Sequence, residues 1–295
     1  MRNSLIVLYA AVVLMLCPVC APAQQQQTDL TFFGWSDQHV GVKGEAAHVH
    51  AAIDAMNELP GTPYPARIGG KVDKPAFVIG CGDSTEWPTH AAKNAYSEAL
   101  TSRLKFPAYE MVGNHDEGGK VPSNTVKDWI IARHGALSYT FEHAGVLFIM
   151  TWSPYDEKLA NPAQSIHKSA LEFIRTKLAQ APRGQPAIVA LHLCFEAITN
   201  RDELVDAFGD ANVILVLGGH YHKHTINEYR GRRFLQLPSP QSTTMFTVVR
   251  ITPTRLTALP WDYKTRRWIE EPRMVLDAAL KPASATTAPA GGTRE

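Results

Sequence analysis

Three histidines at alternate positions, His220, His222 and His224, close the stretch LVLGGHYHKH, directly after a run apolar enough to be a buried strand. Side chains of an extended segment alternate in direction, so imidazoles at this spacing point the same way, and a neutral imidazole offers a lone pair to a metal ion. Other apolar runs end in similar residues: Ser36-Asp37-Gln38-His39, Gly82-Asp83, Gly113-Asn114-His115-Asp116, and His192. Each has an ordinary explanation when taken alone. Asp37 can cap a helix, Asp83 and Asn114 suit turns, and His192 can be a hydrogen-bonded core histidine. Together, five strand ends deliver carboxylate, amide and imidazole donors with no thiolate, a set that suits Mn, Fe or Zn.

The elements that must position these donors alternate along the chain. Strand-like runs over 30–37, 75–83 and 107–116 are separated by helical patterns over 44–61 and 90–104, a β-α-β-α-β series that favours a layered α/β sheet. A helix follows over 123–135, then a hairpin over 138–152 turning at Ala144-Gly145. Helices over 165–180 and 201–209 precede strands over 186–193 and 212–220, and the remainder has β character with turns at Arg230-Gly231 and Pro253. The expected fold is α/β, a four-layer-type sandwich of two mixed β-sheets flanked by helices. Ligands in such sheets gather beyond the carboxyl ends of the strands.

Composition excludes more than it assigns. Lys+Arg is 29 against Asp+Glu 28 in 295 residues, so no basic excess or acidic tail points to nucleic acid. Residues 1–23 read as a secretory signal: Arg2, an apolar middle, and Ala-Pro-Ala before a glutamine run. The expectation is an exported protein, periplasmic or secreted, with no membrane span once the signal is cleaved. One domain is expected over 28–272, and the small polar stretch 281–295 cannot bury enough to order itself. Cys17 and Cys20 leave with the signal, and Cys81 and Cys194 sit in apolar runs where buried thiols or a disulfide are both open.

The ordered series D-x-H, GD, GNHD, H and GHxH, running from Asp37 to His222, resembles the calcineurin-like metallophosphoesterase family. The resemblance implies a two-metal centre with divalent or trivalent Mn, Fe or Zn: Asp37, His39 and His222 on one ion, Asn114, His192 and His220 on the other, and Asp83 bridging. It implies hydrolysis of a phosphodiester or phosphomonoester by a hydroxide held between the metals, with His115 assisting the leaving oxygen and Asp116 orienting its ring. The alternative is a secreted, catalytically inactive binding protein that keeps the fold. No arginine follows Asp83 where the Ser/Thr phosphatase branch has one, and Glu86 stands where purple acid phosphatases have tyrosine, so the pattern looks closer to a bacterial branch of mixed activities. Trp87 either stacks on a base or apolar leaving group or packs on the domain. His224 is expected outside the ligand set, and His48, His50, His90, His134, His143 and His167 at the surface or in packing. The implied partner is a phosphorylated small molecule or another phosphoester.

Overall fold

The computed structural model describes residues 29–280 apart from 119, 120, 122, 157 and 160, so the expected signal and tail lie outside the described residues. Among these, the first half builds crossovers: β1 (Leu30–Trp35), α1 (Ala47–Glu58), β2 (Val78–Gly80), α2 (His90–Glu98) and β3 (Ala108–Glu110). The strands β1, β2 and β3 are parallel neighbours. Helix α3 (Thr125–His134) leads to the hairpin β4 (Tyr139–His143) and β5 (Val146–Met150), joined through Ala144 and Gly145 at φ 48° and 78°. Both turn residues at positive φ match the twist of the flanking strands.

Next come α4 (Lys168–Gln180), β6 (Ala187–Leu193), α5 (Arg201–Phe208), β7 (Val213–Gly219), β8 (Thr225–Tyr229) and β9 (Arg232–Gln236). The chain then returns through α6 (Pro240–Thr243), β10 (Met245–Ile251), β11 (Arg255–Asp262), β12 (Arg267–Trp268) and β13 (Leu276–Ala279). Two mixed sheets result, in the orders β12-β11-β10-β1-β2-β3, with β13 beside β11, and β4-β5-β6-β7-β9-β8. Because β13 pairs with β11 from Leu276 to Ala279, the domain runs past the expected boundary at residue 272.

Period-2 alternation explains the layering. Phe32, Ile79, Phe148, Met150, Ile188, Leu217 and Val249 pack between the sheets. Their alternates face outward: Phe33, Trp35 and Val78 meet Val49, Ile53 and Met56 of α1, while Ile149, Val189, Leu191 and Val216 meet Leu171, Ile174 and Leu178 of α4. Helix, sheet, sheet and helix therefore stack with apolar faces inward, each fully buried large side chain contributing roughly 1.5–3 kcal/mol. No helix among the described residues is long and apolar enough to cross a membrane.

Local departures matter near the site. Strands β2 and β3 have three residues each, far shorter than the runs at 75–83 and 107–116 suggest. Their ends are loops, which are free to bend donors inward. The helix expected to reach residue 104 changes to a π turn over Ala99–Arg103.

Candidate metal centre

The backbone around the donors is strained in a consistent way. Asp37, His39, Asp83, His220 and His222 all have positive φ, at 54°, 44°, 53°, 79° and 60°. Non-glycine residues seldom occupy that region, and such conformations gather where surrounding structure holds them for a site. The holding contacts are visible. Asp37 N and His39 N donate to the Gly82 and Asp83 carbonyls at 2.9 Å each, so the loop after β1 continues alongside the loop after β2. Ser239 Oγ donates to the Asp37 carbonyl at 2.7 Å, and Ser36 N to the Pro238 carbonyl at 3.2 Å, tying the segment after β9 of the second sheet to the end of β1 in the first. A Cβ at Gly219 would stand 1.8 Å from Ser36 Oγ and 2.5 Å from Asp37 Oδ2, so only glycine allows β7 to end against β1.

Two clusters of donors meet at Asp83. In the first, His222 Nε2 lies 3.0 Å from His39 Nε2 and 3.5 Å from Asp37 Oδ1, with His39 Nε2 3.9 Å from Asp37 Oδ1. In the second, His192 Nε2 lies 3.0 Å from Asn114 Oδ1, 3.2 Å from Asp83 Oδ2 and 3.3 Å from His220 Nδ1, and His220 Nδ1 lies 3.0 Å from Asn114 Oδ1. Asp83 Oδ2 also approaches His39 Nε2, at 3.9 Å, so one carboxylate reaches both clusters.

Hydrogen bonds on the far sides of the rings set which nitrogen faces inward. His192 Nδ1–H donates to the Cys81 carbonyl at 2.7 Å, and His220 Nε2–H to the Pro162 carbonyl at 3.0 Å. Each ring, once neutral, would present its other nitrogen as a lone pair, the arrangement that orients histidine ligands.

Electrostatics agree with a cation-holding site. Burial pushes His39 down to about 3 and, with the neighbouring His192, His220 down to about 4; burial also lowers His222. Those three rings are neutral donors at neutral pH. Burial, reinforced by Asp83 and opposed by His192, pushes the Asp37 carboxyl up to about 7. Burial opposes ionisation of Asp83, but the charge and hydrogen bond of His192 hold it well below the usual carboxylate range. The same pairing carries His192 up to about 10 against the effect of its burial. Imidazole nitrogens 3.0 Å apart, two buried carboxylates and an amide oxygen, with the donor atoms of each cluster within 4.8 Å of one another, fit divalent ions.

His115 sits at the rim. Its N–H donates to Asp83 Oδ1 at 2.9 Å and its Nδ1–H to the Glu86 carbonyl at 2.8 Å. Trp87 stacks on this ring, with centroids 4.7 Å apart at 21°, so one indole face is spent on packing. Asp116 does not orient the His115 ring as the sequence suggests. Its carboxylate accepts from Ser84 N, Ser84 Oγ, Thr85 N, Thr85 Oγ1 and Gly113 N at 2.9–3.1 Å, pinning the loop after β2 to the loop after β3. Burial, aided by Asp83, raises its pKa against those donors.

His224 is buried away from the cluster, with Nδ1 3.1 Å from Thr247 Oγ1. His134 stacks on Tyr139 and His167 caps α4. Cys81 and Cys194 are buried free thiols whose pKa values burial raises. Three contributors escape sequence reasoning: the Pro162 carbonyl, Ser239 and the Glu86 carboxylate. The first is a main-chain atom with no residue signature, and the others belong to no ligand pattern.

No family model matches the chain. The chain is 28% identical to serine/threonine-protein phosphatase CPPED1 of Pongo abelii over 181 residues, 53% of this chain and 56% of that protein. To the Rattus norvegicus protein of the same name it is 25% identical over 200 residues, 61% of this chain and 60% of the relative. The chain is thus similar over about half its length to proteins of the calcineurin-like phosphoesterase kind. It spans little more than half the length of the curated calcineurin-like relatives it matches. Among solved structures, GAP50, the anchor in the inner membrane complex of Plasmodium, superposes with a TM-score of 0.56 and 14% identity over 87% of this chain and 90% of that one, a likeness of fold.

Proposed function

We propose that the protein is a metal-dependent phosphoric ester hydrolase with a two-ion centre. The observation that carries this reading is the Asp83 carboxylate, whose Oδ2 reaches His192 of one donor cluster and His39 of the other. Asp37, His39 and His222 would hold one ion, Asn114, His192 and His220 the other, with Asp83 within reach of both. Two divalent ions bound there would polarise a phosphoryl oxygen and lower the pKa of a water. The chain's own groups do the rest. The Pro162 and Cys81 carbonyls keep His220 and His192 in the tautomers that turn lone pairs inward.

His115 is the proton donor to the departing oxygen. Its Nδ1–H is committed to the Glu86 carbonyl, so Nε2 carries the exchangeable proton. Burial lowers its proton affinity, but Asp83, the Glu86 carbonyl and further acidic neighbours outweigh that and raise its pKa above the ordinary value. The same distances allow His115 a place around an ion with His39 and Asp83; the anchored Nδ1 and the raised proton affinity favour the donor role.

The substrate is a phosphomonoester or phosphodiester. The curated relatives bear the name of serine/threonine-protein phosphatases although no arginine follows Asp83 here, so a phosphopeptide joins the candidates. Trp87, with one face on His115, borders the leaving-group side. Export rests on the pattern of residues 1–23 and is tested by sequencing the N-terminus of the protein recovered from cell fractions. The deciding experiment loads the metal-free chain with Mn, Zn or Fe(II) and assays bis-nitrophenyl phosphate, nitrophenyl phosphate, cyclic nucleotides and a phosphoserine peptide. Hydrolysis that requires metal supports the reading. A chain that holds metal but cleaves none of them fails it.

A further inference from the structure

One acidic side chain at the site has no place in the ligand set. Glu86 lies on the loop after β2, its N–H donating to the Val40 carbonyl at 2.9 Å, so its main chain is fixed beside the loop that carries His39. Its carboxylate Oε2 stands 3.2 Å from His39 Nδ1, off hydrogen-bond alignment but at ion-pair distance, and the Glu86 side chain is 40% exposed while that of His39 is 1% exposed. His39 Nδ1 has no other polar partner among the described residues. Its Nε2, on the opposite edge of the ring, faces His222, Asp37 and Asp83.

We propose that the Glu86 carboxylate is a positioning residue for His39, holding the proton on Nδ1 so that Nε2 presents a lone pair to the ion shared with Asp37 and His222. This inference rests on the two-ion reading above. The physical reason is a competition between tautomers. Imidazole in water carries its proton on either nitrogen, and on the Nε2 side of His39 the acceptors Asp37, Asp83 and His222 compete for it, so a partner on Nδ1 must outweigh them. A carboxylate 3.2 Å from Nδ1 attracts an N–H there and repels a bare lone pair. His192 and His220 use backbone carbonyls for the same purpose, whereas the outer nitrogens of His39 and His222 face replaceable side chains, the Glu86 carboxylate and, at 3.4 Å, Ser242 Oγ. Glu86 thereby serves two rings with two different atoms: its carbonyl holds His115 and its carboxylate holds His39. Only the second contact is lost on mutation.

The test uses the full chain, first metal-free and labelled with ¹⁵N-histidine. Long-range ¹H–¹⁵N correlation spectra assign the proton of His39 to Nδ1 in the wild type. Glu86→Ala moves a substantial population to Nε2–H, while Glu86→Gln, whose amide oxygen still accepts, keeps Nδ1–H. The His115 signals stay in place in both variants and, with the thermal melt, report an intact fold. Titration with Zn²⁺ or Mn²⁺ then shows two ions in the wild type. In Glu86→Ala one of the two binds 10–100-fold more weakly, the range for removing a partner of a histidine ligand, the other is unchanged, and Glu86→Gln recovers most of the loss. An unchanged His39 tautomer and unchanged affinities in Glu86→Ala overturn the proposal. A wild type that takes up no metal removes the two-ion reading and with it the proposed benefit of the tautomer. Uptake of two ions by the wild type with equal affinities in all three proteins removes only the role of Glu86.

Discussion

Replacing Gly113 by alanine tests the shared carboxylate with a single methyl group. Gly113 is outside the left-handed region, so alanine fits its backbone, but the added Cβ would stand 2.2 Å from Asp83 Oδ1 and 2.4 Å from Asp83 N. Ordinary contact begins at 3.4 Å, so the Asp83 side chain must retreat by 3.4 − 2.2 = 1.2 Å, and its main chain must follow. That retreat breaks the hydrogen bond from His115 N to Oδ1 and draws Oδ2 off the line between His192 and His39. A misplacement of about 1 Å costs on the order of 10²-fold in rate, and overpacking a tight spot costs about 1–3 kcal/mol of stability. The expected result is a folded protein with a modestly lower melting temperature, less than two equivalents of metal by mass spectrometry, and kcat/KM for bis-nitrophenyl phosphate down by about 10²-fold or more. Asp83→Asn, which keeps the volume and removes the charge, serves as the companion and should lose metal without the steric change. A folded Gly113→Ala enzyme with two ions and wild-type turnover would refute the shared-carboxylate reasoning.

Four further outcomes follow from the same geometry. His115→Ala should keep its metal content and lose turnover by ~10²–10⁴-fold; unchanged turnover removes His115 from the mechanism. Metal binding should release protons, because Asp37, raised to about 7, and His192, raised to about 10, are protonated in acid while His39 and His220 are not. Since the ion displaces those protons, affinity rises with pH, steeply below the Asp37 value and more gently between the two. Calorimetry in buffers of different ionisation enthalpy counts them, and affinity falling with rising pH over that window contradicts the assignment. In the metal-free protein the same raised Asp37 contributes stability at low pH that disappears as pH climbs from its ordinary 3.8 through about 7. Asp116→Ala should act on stability before chemistry, at roughly 1–3 kcal/mol for each buried donor of Ser84, Thr85 or Gly113 left without a partner. Urea unfolding measures it; a shifted His115 titration with unchanged stability would restore Asp116 to the ring-orienting role.

The order of donors along the chain was legible in the sequence because the physics behind it is local. A parallel strand buried on both faces reads as a short apolar run, and the residues just past it are among the few polar ones the run allows. Asp37, Asp83, Asn114, His192 and His220 stand out for that reason. The layering was legible too, from period-2 runs alternating with helical stretches. The hairpin at Ala144-Gly145 was equally plain, a local turn signal between two apolar strands.

Less local matters were not. The Asp116 carboxylate looked like a partner for the adjacent His115, yet its five donors include residues about thirty positions earlier in the chain. Strand β13 escaped notice because Leu276–Ala279 is only four residues long, with no β-branched or aromatic residue, and is a strand by virtue of the edge of β11 it pairs with. Likewise the Pro162 carbonyl on His220 and the Glu86 carboxylate on His39 depend on loops meeting across the site.

Residue types and their order, then, determined by themselves what could bind: oxygen and nitrogen donors, neutral or anionic, released at successive strand ends. Tertiary structure alone decided which nitrogen of each ring turns inward, how close the Asp83 carboxylate comes to both clusters, and which acidic group only braces a loop. Tautomer, sharing and bracing are set by distances of about 3 Å between segments 30 to 180 residues apart in the chain, and no periodicity in the sequence encodes such a distance.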